Sequence, residues 1–129
     1  MMDINEIRAK YNNGDYTYKV GIPKKLPVDY VFDEELSVKR NRELVQEHND
    51  KADLMRKDKN RIQRELDKRF TYDVVVYIME NYGLTESQAK TVENFVYQEH
   101  HSFMSDYFSY IDTFADFASN LVSPEEVEE

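Results

Sequence analysis

The chain has 129 residues, of which 33% are charged, and a formal net charge of −9, which allows one domain with a modest core. It contains no cysteine, so disulfides, thiolate chemistry and sulfur-ligated zinc are excluded, and its three glycines form neither a Walker nor a dinucleotide-binding pattern. Because we see neither an N-terminal signal peptide nor an apolar run of about 18 residues, we expect a cytoplasmic protein that does not enter a membrane.

The first 32 residues predict a small N-terminal cap. Residues 3–12 have the apolar spacing of a short helix, and the Asn-Gly-Asp sequence at 13–15 is a strong turn signal that ends it. Aromatic and polar residues alternate over 16–20, and 28–32 is a second short segment of strand-forming residues. We therefore predict a helix followed by a β-hairpin.

Residues 33–82 predict one very long helix, or two consecutive helices with a break at 70–73. The segment contains no glycine or proline, and 21 of the 37 residues from 33 to 69 are charged, with both signs intermixed. Asp33 is the predicted N-cap. A heptad seam is present, but Asn41 and His48 occupy positions where a coiled coil needs aliphatic side chains. We expect this arm to project from the body of the protein or to pair along its length.

A second long helix is predicted from 86 to 121. Thr85 and Gln88 form a capping box, and Gly83 is placed to end the preceding helix. Apolar residues recur at intervals of three and four, which is typical of a helix with one buried face. The predicted fold is mainly α: a long, coiled-coil-like antiparallel helical hairpin over 33–122, with the cap at 1–32 and a disordered acidic tail at 123–129, all in one domain.

Charge is distributed unevenly along the chain. From Glu80 to Glu129 there are 11 acidic residues and one basic residue, Lys90, a net charge of −10. Such a segment can steer the protein toward a basic groove, including one built to hold nucleic acid. The alternative is an ordinary solvated helix face. The acidic residues predicted to contact a partner are Glu86, Glu93, Glu99, Asp106, Asp112 and Asp116.

A secondary basic patch is predicted on the first arm. Its residues are Arg56, Lys57, Lys59, Arg61, Arg64 and Lys68. These side chains could contact phosphates, but the chain as a whole is acidic, so we do not expect direct binding to nucleic acid. A protein partner with an acidic patch, or an antiparallel copy of the arm in a homodimer, suits the patch equally well.

The sequence predicts no catalytic residue, metal site or cofactor. The Glu-His-His sequence at 99–101 lacks the Glu-x-x-His spacing of carboxylate di-metal bundles, and His100 lies on the apolar stripe as a core histidine would. Glu43, Glu47 and Asp50 resemble the helical carboxylates with which all-α nucleotide pyrophosphohydrolases bind Mg²⁺. No matching set is evident on the partner helix, so enzyme activity is not expected.

The opening of the chain resembles that of small acidic anti-CRISPR proteins encoded by prophages. The residues that carry the resemblance, within 2–20, are Met2, Ile4, Asn5, Glu6, Asn13, Asp15, Tyr16, Thr17 and Lys19. Such inhibitors resemble nucleic acid in charge and block a guide-RNA nuclease, and their contact residues lie outside the match. Residues 83–102 also look like a helix found in small proteins of tailed phages. Together these resemblances imply a phage or prophage origin.

These observations predict a non-enzymatic phage-type protein that uses an acidic helical face to bind and inhibit a nucleic-acid-handling defence protein of the host, such as a nuclease. The first alternative is a self-assembling coiled-coil structural or assembly-chaperone protein whose arms pair between copies. The second is a Mg²⁺-dependent nucleotide pyrophosphohydrolase that uses the carboxylates at 43, 47 and 50.

Overall fold

A computed structural model of the protein describes the backbone of residues 2–128 and the side chains of residues 2–121. Within this part of the chain lie four helices and no strand: α1 (Ile4–Asn12), α2 (Val38–Tyr82), α3 (Glu86–His100) and α4 (Met104–Glu128). The predicted mainly helical fold is confirmed. The sequence predicts a disordered acidic tail at 123–129, whereas the backbone of α4 continues through 123–128; the side chains there lie outside the described residues.

The chain divides into two compact units. The bundle unit contains Met1–Tyr16 and Asp67–Glu129, and the strap unit contains Thr17–Leu66. Helix α2 contributes its first part to the strap unit and its last part to the bundle unit.

The bundle unit contains an antiparallel helical hairpin, but its two arms are α3 and α4, which the sequence predicts as one helix. Helices α3 and α4 pack against each other, and the Phe95 and Phe114 rings meet across the pair at 5.0 Å. The Phe70 ring, on the last part of α2, has its centroid 5.1 Å from that of Tyr16, which follows α1, and 6.0 Å from that of Phe108 on α4. The fully buried residues Ile7, Val74, Ile78, Val96 and Ile111 belong to the same core.

Local sequence signals set three helix ends in the bundle unit. Asp3 caps α1 by accepting a hydrogen bond from the Glu6 backbone N–H at 2.8 Å. The predicted capping box of Thr85 and Gln88 opens α3. Gly83 follows α2 with φ +67°, a left-handed conformation that glycine adopts without steric cost, so its predicted role is confirmed.

The sequence leaves open whether the long arm breaks at 70–73. Helix α2 is continuous through these residues, and Phe70 and Val74 are buried in the core. The predicted start of the helix is wrong, because α2 begins at Val38 instead of near Asp33. The Ser37 hydroxyl accepts a hydrogen bond from the Arg40 backbone N–H at 3.0 Å, whereas the Asp33 carboxylate closes a turn of its own.

The single helix predicted over 86–121 is also wrong, because the chain reverses at 101–103. His101 Nδ1 lies 2.8 Å from the Tyr97 carbonyl, which gives that carbonyl a partner at the end of α3. A continuous helix could bury its apolar stripe only against α2. The reversal lets α3 and α4 bury their stripes against each other as well, which removes more apolar surface from water.

The strap unit holds a further correction of fold: the predicted β-hairpin is absent. Residues 17–37 form neither helix nor strand. This segment, the strap, lies antiparallel along α2, whose side-chain amides bind its backbone. Gln63 accepts a hydrogen bond from the Tyr18 N–H at 2.9 Å, and Asn49 bonds both the N–H and the carbonyl of Leu26, at 2.8 and 3.1 Å.

The polar residues of the predicted heptad seam have a role in holding the strap. Asn41 is buried, accepts hydrogen bonds from the Phe32 and Asp33 N–H groups and donates to the Asp33 carbonyl. His48 Nε2 lies 2.9 Å from the Lys24 carbonyl. The backbone of the strap, whose alternating sequence predicts strands, therefore forms hydrogen bonds with side-chain amides of α2 instead of with a second strand.

No helix in the described part of the chain has both the length and the apolar character of a membrane span.

Candidate functional site

The six acidic residues predicted to bind a partner fall into two groups. Glu86, Glu99, Asp106 and Asp116 are exposed on α3 and α4 of the bundle unit. The Glu86 carboxylate is paired with the Lys90 ammonium at 2.9 Å. The other two, Glu93 and Asp112, accept hydrogen bonds from tyrosine hydroxyls of the bundle; Glu93 is buried and Asp112 is half-buried.

Glu93 is a buried carboxylate of α3, with 6% of its surface exposed. Its Oε2 accepts a hydrogen bond from the Tyr107 hydroxyl of α4 at 2.8 Å. Burial raises the pKa of Glu93, and the hydrogen bond from Tyr107 offsets part of that rise. Burial and the adjacent carboxylate raise the pKa of Tyr107. The pair therefore joins the two helices of the hairpin from within.

Asp112 makes the corresponding link to the end of α2. Its Oδ1 accepts hydrogen bonds from the hydroxyls of Tyr77, at 2.5 Å, and Tyr82, at 2.8 Å. Burial, followed by the hydrogen bond to Asp112, raises the pKa of Tyr82 to about 12 and raises the pKa of Tyr77 as well. The same arrangement recurs where the buried Asp73 accepts a hydrogen bond from the Tyr16 hydroxyl at 2.5 Å.

The reversal between α3 and α4 carries an exposed group of aromatic side chains between two exposed carboxylates. We call residues 97–110 the hairpin tip. Phe103, in the connection itself, is 68% exposed, and Tyr97 and Tyr110 are also exposed. Glu99 and Asp106 lie within about one helical turn of the connection and are exposed as well. Sequence reasoning missed this feature because it placed residues 97–110 in the middle of one helix.

The histidines of the hairpin tip stack on its tyrosines. The His100 ring lies on the Tyr110 ring at a centroid distance of 3.9 Å and an angle of 14°. The His101 ring lies on the Tyr97 ring at 5.0 Å and 21°. These contacts fix the direction of both tyrosines, which reduces the entropy that they lose when a partner covers them.

The excess negative charge lies in the bundle unit. That unit contains 16 acidic and 5 basic residues, a net charge of −11 with histidines neutral. The strap unit contains 10 acidic and 12 basic residues, a net charge of +2. The charge split that the sequence shows along the chain is therefore also a split between two compact units.

The basic patch predicted from sequence is exposed throughout. Its residues at 56, 57, 59, 61 and 64 belong to the strap unit, and Lys68 belongs to the bundle unit. Arg56 lies 3.4 Å from Asp53, and Arg61 lies 3.8 Å from Asp58. The Lys25 ammonium bonds Asp53 at 2.9 Å and holds the pKa of that carboxyl below its usual range.

The carboxylates considered as Mg²⁺ ligands are engaged with neighbouring side chains on α2. Glu43 and Glu47 lie 3.3 and 3.6 Å from Arg40, and Asp50 accepts a hydrogen bond from Gln46 at 2.8 Å. In the part of the chain that the structure describes, no group of three or more histidine, aspartate or glutamate residues could hold a metal ion.

A groove of the bundle unit lies between α2 and α3 and has a volume of about 610 Å³. Val75, Val76 and Met79 give it an apolar lining, and Glu86 and Lys90, which also line it, are paired with each other. Its other lining residues are polar: Asp67, Lys68, Thr71 and Tyr72.

Comparison of the chain with protein families, curated proteins and solved structures found no match.

Proposed function

We propose that the protein is a non-enzymatic inhibitor that binds the basic nucleic-acid groove of a partner protein through the acidic hairpin tip of its bundle unit. One observation carries the proposal: the bundle unit has a net charge of −11, and its hairpin tip presents exposed carboxylates together with exposed aromatic rings. The proposed contact residues are Glu99 and Asp106 of the hairpin tip, with Phe103 as the apolar anchor, and Asp116 about three turns further along α4.

The charges and the rings have different roles in this proposal. Negative charge steers the protein toward a positively charged groove and sets the association rate, but an exposed ion pair adds only about 0.2–1 kcal/mol of affinity. Aromatic side chains that become buried in an interface supply most of the binding free energy. Phe103 projects from the connection between two helices, so a partner can cover it without any change in the bundle.

Inhibition follows from occupation of the groove, because the bound protein excludes nucleic acid from it. The likeness of residues 2–20 to small acidic anti-CRISPR proteins supports a host-defence nuclease as the partner. In that setting the protein acts in the cytoplasm of a bacterial host.

The experiment compares two variants that lose the same amount of charge. The site variant carries Glu99→Gln, Asp106→Asn and Asp116→Asn. The control variant carries Glu43→Gln, Glu47→Gln and Asp50→Asn, three exposed carboxylates of the strap unit. Each immobilised protein is exposed to nuclease-treated bacterial lysate, captured proteins are identified, and each is tested for loss of DNA or RNA binding when the inhibitor is added.

We expect the unmodified protein and the control variant to capture the same nucleic-acid-binding protein and to displace its nucleic acid. The site variant should bind it roughly tenfold more weakly, since it loses three rim charges of up to about 1 kcal/mol each. Affinity should fall as salt rises. If both variants lose affinity equally, net charge alone explains the binding and the proposed site is wrong. If the captured protein keeps its nucleic acid when the inhibitor is added, inhibition is refuted. Phosphate release from nucleotides, lost only in the control variant, would favour the hydrolase instead.

A further inference from the structure

The strap unit leaves half of its large apolar side chains exposed. Of its hydrophobic residues, only Val45 and Ala52 are buried. A unit of this size has little core of its own, and exposed apolar side chains that lie close together mark an interaction surface. The exposed large hydrophobic residues of the unit are Val20, Val28, Tyr30, Val31, Phe32, Leu36, Val38 and Leu54.

Six of these eight residues lie within one short segment, residues 28–38, which we call the acidic–apolar end. The Tyr30 and Phe32 rings meet edge to face at 5.0 Å, so the apolar side chains are organised and not scattered. Four carboxylates lie among them. These are Asp29, Asp33, Glu34 and Glu35, all exposed and none in an ion pair within the described residues.

The opposite end of the strap unit is basic. Two of its cations, Arg56 and Lys59, lie on the side of α2 that holds the strap. At 3.6 residues per turn, Val38, Arg56 and Lys59 lie on the side of α2 that carries Asn41 and Asn49, the residues that hold the strap. Lys59 is exposed and makes no ion pair within the described part of the chain. The strap side of the unit therefore carries a negative, apolar end and a positive end.

We propose that a second copy of the chain docks antiparallel on the strap side of this unit. A symmetric dimer brings the same surface of two molecules together, so the surface must complement itself. In an antiparallel pair, the acidic–apolar end of each copy lies on the basic end of the other. A parallel pair would place like charges together, which charge repulsion disfavours. This inference concerns the strap unit only and does not depend on the function proposed for the hairpin tip.

The test measures the molecular mass of the full chain by analytical ultracentrifugation between about 1 and 100 μM. Val31→Glu places a charge in the acidic–apolar end. Its control, Leu54→Glu, places the same charge at an exposed leucine on the opposite side of α2. Circular dichroism checks that every variant keeps its helix content.

Charge reversal tests the direction of pairing. Glu34→Lys and Lys59→Glu each place like charges together in an antiparallel dimer, whereas the double variant restores opposite charges at both contacts. Lys57→Glu, on another side of α2, is the matched charge control.

We expect a dimer for the unmodified protein and for both controls. Val31→Glu and each single charge reversal at 34 and 59 should weaken dimerisation at least tenfold, and the double reversal should return it to within about threefold of the unmodified protein. A monomer at 100 μM would overturn the proposal. Equal weakening by the control variants would also overturn it, and a double reversal that is no better than the singles would rule out the antiparallel arrangement.

Discussion

Replacement of Asp112 by alanine tests whether carboxylates of the acidic helices hold the bundle together or serve a partner. Asp112 accepts hydrogen bonds from two tyrosine hydroxyls, Tyr77 and Tyr82, both on the last part of α2. Asp112→Ala leaves both donors without their acceptor. The loss is therefore a loss of attachment between α2 and α4.

The magnitude follows from the two bonds. A hydrogen bond to a charged group contributes about 1.5–3 kcal/mol. Asp112 is only half-buried, so water can replace part of what is lost and the low end of that range applies to each bond. We expect Asp112→Ala to lower the free energy of unfolding by about 3 kcal/mol. Asp112→Asn keeps an acceptor without its charge and should cost about half as much.

Urea unfolding followed by circular dichroism at 222 nm measures the effect. With a slope of roughly 1.5 kcal/mol per molar urea, the midpoint of Asp112→Ala should fall by about 2 M. The matched control is Asp116→Ala, an exposed carboxylate one turn further along α4, which should change stability by less than about 0.5 kcal/mol. Equal stability of the two variants, or a midpoint for Asp112→Ala within 0.3 M of the unmodified protein, would refute the structural role of Asp112.

Three further predictions concern pH and the strap. Because folding raises the pKa of four tyrosines above the unfolded value of about 10, their contribution to the free energy of unfolding is complete below pH 10 and is lost as the pH rises through the folded pKa values. Absorbance at 295 nm should therefore show four tyrosines that ionise at higher pH than free tyrosine and that titrate normally in urea. These four are Tyr16, Tyr77, Tyr82 and Tyr107. Because burial raises the pKa of Glu93, its ionisation lowers the free energy of unfolding as the pH rises above about 4. Glu93→Gln should therefore flatten the decline in unfolding free energy between pH 4 and 7. An unchanged slope would contradict this. Asn49→Ala removes both hydrogen bonds to Leu26, so trypsin should cleave after Lys25 several-fold faster, while Asn60→Ala, at an exposed position of the same helix, should leave the cleavage rate unchanged.

The sequence by itself determined the helical content of the protein and several helix ends. Asp3, the Thr85–Gln88 box and Gly83 act through hydrogen bonds and backbone angles within a few residues of their own position, so their roles can be read without knowledge of the fold. The apolar run at 74–79 was likewise predicted as buried helix, because its spacing matches that of Phe70 on one face.

Only the tertiary structure decided which carboxylates are open to a partner. Glu93, Glu99, Asp106 and Asp112 recur at intervals of six or seven residues. Glu93 and Asp112 nevertheless accept hydrogen bonds from tyrosine hydroxyls, whereas Glu99 and Asp106 are exposed. The tyrosines concerned lie 14, 30 and 35 positions away in the chain, so no local pattern announces the contacts. The reversal at 101–103 could not be predicted from the spacing of apolar residues either, because the apolar stripe continues through it.

The strap shows the same division. Its alternating residues predict strands, but the structure has none there. The side chains of α2 satisfy its backbone first, through amides at Asn41, Asn49 and Gln63 that read from sequence only as poor coiled-coil positions or surface residues. A backbone N–H or carbonyl group forms its hydrogen bond with the partner that the fold places beside it. That partner is decided by contacts between residues far apart in the chain.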